Sequence, residues 1–113
     1  MPGTLSATRA AAHGACRLCG RQEAGIPQLD LQAIDDDTVA AEIHFDRTSE
    51  GYTGLAHGGI AAAICDAAMC NVLFARGVTG FTVKLELRYR RPLRLDEPAR
   101  VEASYEGCRG GAW

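Results

Sequence analysis

At 113 residues, with 47% apolar and 23% charged side chains, the chain has room for one modest domain and excludes a second catalytic one. A formal net charge of -2 excludes a strong general attraction to nucleic acid, so no nucleic-acid partner is expected. The charge is uneven: residues 1–75 hold 4 basic and 9 acidic side chains and residues 76–113 hold 8 and 5, which places any anion site in the second part.

Residues 1–28 are rich in Gly, Ala, Thr and Ser with few large apolar side chains, and read as an N-terminal arm or loop. Within them His13, Cys16 and Cys19, followed by Gly20, offer three soft ligands in seven residues. Zinc normally takes four, and no second Cys-x-x-Cys follows, so the segment is read as a loop without metal. The five cysteines are odd in number, and two of them, Cys65 and Cys70, sit in an apolar run, which is not a secreted disulfide framework. The first 15 residues lack the continuous apolar stretch of a signal peptide, so a cytoplasmic location is the expectation.

From Leu29 the pattern alternates. Leu29, Leu31 and Ala33 are followed by Asp35-Asp36-Asp37 and then by Val39, Ala41, Ile43 and Phe45, which predicts a hairpin with an acidic turn. Residues 47–59 carry four glycines and read as a loop. Ile60 to Ala75 is mostly Ala with larger apolar residues, has no Pro or Gly inside, and meets a stop at Arg76-Gly77; this predicts a helix. Only Asp66 and Asn71 are strongly polar in it, so it should be covered nearly all round. The run is shorter than the roughly 20 residues a bilayer needs and has an acid in its middle, so no membrane span is expected. Phe81 to Arg90 alternates strictly, with Phe81, Val83, Leu85, Leu87 and Tyr89 on one face, and reads as a long strand. Ala99 to Glu106 gives a fourth strand, and 107–113 an irregular tail. One-sided strands and an all-apolar helix fit together as an α+β domain in which an antiparallel sheet curls around a central helix, with a second subunit over the uncovered side.

The chemistry concentrates where the glycine loop becomes the helix. The first N–H groups of a helix have no intrahelical partner and sit at the positive end of the macrodipole, and glycines let a ligand approach them, so Gly58 and Gly59 can form an oxyanion hole. A carboxylate inside an apolar helix is costly unless paired or functional, which singles out Asp66. The helical rise puts Asp66 about 12 Å from Gly58. One chain therefore cannot aim both at one carbonyl, whereas two antiparallel helices across a twofold axis can.

His57-Gly58-Gly59, Asp66-Ala67-Ala68-Met69, Gly77 to Val83 and Tyr89-Arg90-Arg91-Pro92 together resemble the hotdog-fold thioesterase superfamily, in particular its phenylacetic-acid-pathway-type acyl-CoA thioesterase branch. The resemblance covers about residues 28–106 and implies a hotdog domain over 29–106. It implies that the Gly58 amide binds the thioester carbonyl, that Asp66 acts as base or nucleophile, and that Thr82 helps place the water. His57 completes the candidate catalytic set, as a shaper of the loop more than a carrier of protons.

Two positions depart from the family pattern: Gly51 stands where many members have an Asn that also contacts the carbonyl, and Ala67 stands where many have Glu. The resemblance further implies two more strands after Glu106, for which 107–113 offers no pattern, so the sheet is expected to lack its last strands and the chain to be a C-terminally truncated member. Arg88, Arg90, Arg91 and Arg94 follow the long strand, and planar guanidinium groups suit phosphate; Arg90 and Arg91, with Gly59, are the candidate substrate-binding residues.

The expected function is hydrolysis of an acyl-CoA thioester at a homodimer or dimer-of-dimers interface, with no metal and no cofactor beyond the coenzyme A of the substrate. The alternatives are a non-catalytic acyl-binding or dimerisation module and an inactive fragment.

Overall fold

The computed structural model describes residues 2–20 and 25–108. Its elements in chain order are α1 (Pro2–His13), β1 (Gln32–Ala33), β2 (Thr38–Ile43), a 3-10 turn (Arg47–Ser49), α2 (Gly58–Ala75) and β3 (Ala99–Ser104). The three strands form one antiparallel sheet in the order β1-β2-β3, and α2 lies against it. This is the expected α+β class.

The hairpin forms as its pattern predicts. Gln32 faces Ala40 and Ala33 faces Val39, and the acidic turn closes with Ile34 N–H donating to Thr38 O at 2.9 Å. Asp35 Oδ1 accepts from Asp37 N–H at 2.8 Å, the local bond that makes Asp a turn residue. β2 then pairs with β3 from Thr38 opposite Ser104 to Ile43 opposite Ala99. In β3, Val101 and Ala103 are buried while Arg100, Glu102 and Ser104 are exposed, so the period of two separates core from solvent.

α2 starts two residues before the expected Ile60, because His57 caps it. Its end is a Schellman closure: Gly77 takes φ +74°, its N–H donates to Phe74 O, and Val78 N–H donates to Leu73 O. Arg76 anchors this end. Its Nη1 lies 2.9 Å from Asp37 Oδ1 and its guanidinium stacks 3.9 Å over the Tyr105 ring, tying the helix to the hairpin turn and to the residue after β3.

Three expectations are corrected. The stretch 1–28 is not all arm or loop: Pro2–His13 is helical and packs on α2 and β1. Composition concealed this because a single large residue does the anchoring, Leu5 at 2% exposure, with Arg9 Nη1 donating to Asn71 Oδ1 and Leu31 O. Those bonds, with Asn71 Nδ2 donating to Ala67 O at 2.7 Å, also satisfy a side chain that is wholly buried.

Second, α2 is not covered nearly all round. Ile64, Ala67, Ala68, Asn71, Val72 and Phe74 are buried, but the opposite side is partly open and Met69 is exposed. By length and composition α2 would pass for a membrane span, yet it carries Asp66 and packs one face on the sheet.

Third, Phe81 to Arg90 is extended but is not a strand among the described residues, since no backbone pairs with it. Alternation sets which way side chains point; a strand also needs a neighbour for its N–H and C=O groups. Its apolar face is in solvent, with Phe81 98% and Val83 88% exposed. The chain rejoins the body where Ala56 N–H donates to Leu93 O and Leu95 N–H to Gly54 O. Of the irregular tail, Gly107 and Cys108 carry no regular structure, and 109–113 lie outside the described residues.

Candidate active site

The loop entering α2 folds back on itself. Gly51 N–H donates to Leu55 O at 3.0 Å and His57 N–H to Ser49 O at 2.8 Å, so the backbone at 51 passes against His57. A Cβ at Gly51 would lie 3.0 Å from His57 Cα. The departure from Asn at this position therefore has a steric counterpart, and no side chain there supplies a second donor to a carbonyl. Ala67, the second position that departs from the motif pattern, is buried in the core at 7% exposure.

His57 is the N-cap of α2: its Nδ1 accepts from Gly59 N–H at 2.9 Å. In that bond Nδ1 is the acceptor, so it is the nitrogen without a proton. The Ile60 and Ala61 N–H groups both reach His57 O at 3.1 Å. Of the first N–H groups of the helix, Gly58 alone has no acceptor among the described residues, and it is exposed at the positive end of the dipole. The N–H of Gly59, a candidate substrate-binding residue, is the donor in the cap. A His57→Asn variant, with another strong capping residue, is expected to keep the urea unfolding midpoint, whereas His57→Ala costs about 0.5–2 kcal/mol.

Eight residues on, Asp66 is half-buried on the open side of α2, and Thr82 Oγ1 donates to its Oδ1 at 2.6 Å. Tyr89 makes a second contact at the other end of the same segment, its hydroxyl donating to Gly58 O at 2.8 Å with the ring against Gly58. Residues 82–89 thus run antiparallel along α2, from its middle back to its start. Tyr89 was not expected at the site. Its place in an alternating apolar row marks it as a packing residue, and nothing in the row signals where its hydroxyl goes.

Cys70 lies one turn after Asp66. Burial pushes its thiol up, the Asp66 charge adds to that, and a hydrogen bond with Thr82 offsets only part. Burial raises the Cys65 thiol as well. The raised pKa keeps both thiols away from the reactive thiolate form and makes them poor nucleophiles. Arg88, Arg90 and Arg91 have no ion-pair partner among the described residues, while Arg94 is engaged by Asp96 at 3.2 Å and Glu97 at 3.8 Å.

Away from this face, His13, Cys16 and Cys19 come together at the end of α1, all three half-buried. Burial pushes the Cys16 thiol up, but hydrogen bonds from the Cys19 and Leu18 backbone and with the His13 ring outweigh it and bring it down to about 7. Burial pushes Cys19 up to about 11.

Comparison with known families matches residues 53–106, a little under half of the chain, to the thioesterase superfamily. The match spans the end of the loop before α2, α2, the segment Phe81 to Arg90 and β3, and with these elements the fold is the α+β hotdog arrangement with three described strands. No curated protein and no solved structure matches the chain.

Proposed function

We propose that the chain hydrolyses acyl-CoA thioesters at sites shared between two copies of itself. The observation that carries this reading is Asp66, midway along a largely apolar helix and bonded to Thr82, together with the first N–H of that helix, at Gly58, which has no acceptor among the described residues. The match to the thioesterase superfamily supports the same chemistry.

In the reaction, the Asp66 carboxylate takes a proton from water as the water oxygen attacks the thioester carbonyl carbon. Thr82 donates its proton to Asp66, and a lone pair on its Oγ1 accepts from that water and holds it in line. Charge developing on the carbonyl oxygen is met by the Gly58 N–H and the helix dipole. Collapse of the tetrahedral intermediate breaks the carbon–sulfur bond, and the departing thiolate recovers the proton from Asp66. Gly58 and Asp66 are about 12 Å apart along one helix, so the donor and the base at any one carbonyl come from different chains.

The open side of α2 and the exposed row from Phe81 to Tyr89 are where the second copy docks, as a homodimer or a dimer of dimers. Within the superfamily, the motif set favours the phenylacetic-acid-pathway-type branch. Arg90 and Arg91, without counter-ions of their own among the described residues, bind coenzyme A phosphates. The whole reading is tested by release of coenzyme A from a panel of acyl thioesters. Arg90→Ala/Arg91→Ala is expected to raise KM for coenzyme A thioesters by about tenfold. It should leave short thioesters without phosphate unchanged, and an equal effect on both substrate types would remove the arginines from the site.

A further inference from the structure

We propose that His13, Cys16 and Cys19 form a binding site for one thiophilic divalent cation of the zinc class, with water as the fourth ligand. The sequence alone leaves these residues as a loop with too few ligands; the fold brings them to one point. A ring nitrogen of His13, Cys16 Sγ and Cys19 Sγ all lie within 4.8 Å of one another, and His13 Nδ1 is 3.7 Å from Cys19 Sγ. Zinc bonds of about 2.0–2.1 Å to nitrogen and 2.3 Å to sulfur put neighbouring ligands of a tetrahedron roughly 3.5–3.8 Å apart. One edge is therefore already at metal-bound length, and the other two close by small side-chain rotations.

The backbone builds this arrangement. Cys16 N–H donates to His13 O at 3.0 Å and Gly20 N–H to Cys16 O at 2.9 Å, which folds 13–20 into a tight knuckle. A Cβ at Gly20 would sit 2.1 Å from His13 O, so the knuckle closes only on glycine. Leu18 N–H points at Cys16 Sγ at 3.4 Å, the kind of donor that supports a metal-bound thiolate from outside the ligand set. The His13 ring meets the Phe74 ring edge-on at 4.7 Å, which sets its plane against α2. A cation here joins the end of α1 to the loop that follows and holds both against α2, a structural role separate from the Asp66 face.

The test is titration of the full, reduced chain with cobalt(II). One equivalent is expected to give a thiolate-to-cobalt charge-transfer band and the intense visible bands of tetrahedral cobalt. Zinc should displace both, and zinc-loaded protein should melt at a higher temperature than chelator-treated protein. Cys16→Ser and Cys19→Ser should each remove the charge-transfer intensity of one sulfur, and Cys65→Ser and Cys108→Ser should leave the spectrum unchanged. A reduced wild-type chain that takes up no cobalt, or one whose band survives both knuckle substitutions, overturns the site. So does recovery of the chain with Cys16 and Cys19 joined as a disulfide that resists mild reductant.

Discussion

Asp66→Asn is expected to lower kcat for thioester hydrolysis by about 10²–10⁴-fold, the range a positioned general base supplies, with the folded state intact. Asparagine keeps an oxygen where Thr82 Oγ1 donates at 2.6 Å, so the contact between α2 and the following segment survives while the proton acceptor is lost. Gly58→Pro removes the other partner cleanly. Proline is favoured at the first helical position, and His57 already has φ -64° and ψ 128°, the extended conformation a residue before proline adopts. The missing N–H is the one that has no acceptor among the described residues.

Mixing the two inactive variants then separates shared from self-contained sites. Random pairing makes half of the dimers mixed, each with one intact site of two, so about a quarter of wild-type activity should return. No recovery on mixing would place base and oxyanion donor in the same chain, against the helical spacing. An Asp66→Asn protein as fast as wild type would remove thioester hydrolysis by this route, and tight acyl-CoA binding without turnover in the wild type would favour a binding module.

Phe81→Asp/Val83→Asp is expected to convert the associated protein to single chains and to abolish turnover in the same step. These two side chains stand almost wholly in solvent in one chain, on a segment whose backbone pairs with nothing among the described residues. Burying a side chain of this size contributes about 1.5–3 kcal/mol. Two per chain, doubled by a twofold axis, amount to roughly 6–12 kcal/mol, comparable to the free energy of association with a Kd from tens of micromolar to about nanomolar. Aspartate at both positions reverses that gain and adds like charges facing one another. Sedimentation equilibrium reads the mass and coenzyme A release reads the activity. A variant that stays associated, or one that is monomeric and fully active, would show that this row is not the contact the site depends on.

What the residues made legible divides along a physical line. α2 could be read because an alanine-rich run with a glycine stop depends only on local propensity, and β2 and β3 because one buried face imposes a period of two. α1 could not, since its twelve residues carry no continuous apolar stripe and their order depends on Leu5 and Arg9 finding α2 and Leu31. Phe81 to Arg90 has the pattern of a strand but no partner among the described residues, and alternation in one segment says nothing about what lies beside it. At the site, Gly58 and Asp66 stand out from their places at the start and middle of a largely apolar helix, while Thr82 stands out only by motif resemblance; its hydrogen bond to Asp66 is a contact that spacing does not give. Tyr89 on Gly58 O and the gathering of His13, Cys16 and Cys19 depend on a long-range approach in one case and a glycine-closed knuckle in the other, neither written in spacing.

The same unpaired segment governs colloidal behaviour before any partner arrives. Between and after its apolar residues stand Lys84, Glu86, Arg88 and Arg90, with Arg91 next, so the segment that carries an exposed hydrophobic row also carries a net positive fence along it. Such charges act as gatekeepers against indiscriminate edge-to-edge stacking. Polyanions that neutralise the fence expose the row. Purification over heparin or in high phosphate should therefore drive the free chain toward precipitation, whereas moderate chloride keeps it dispersed, and turbidity at fixed protein concentration reports the difference.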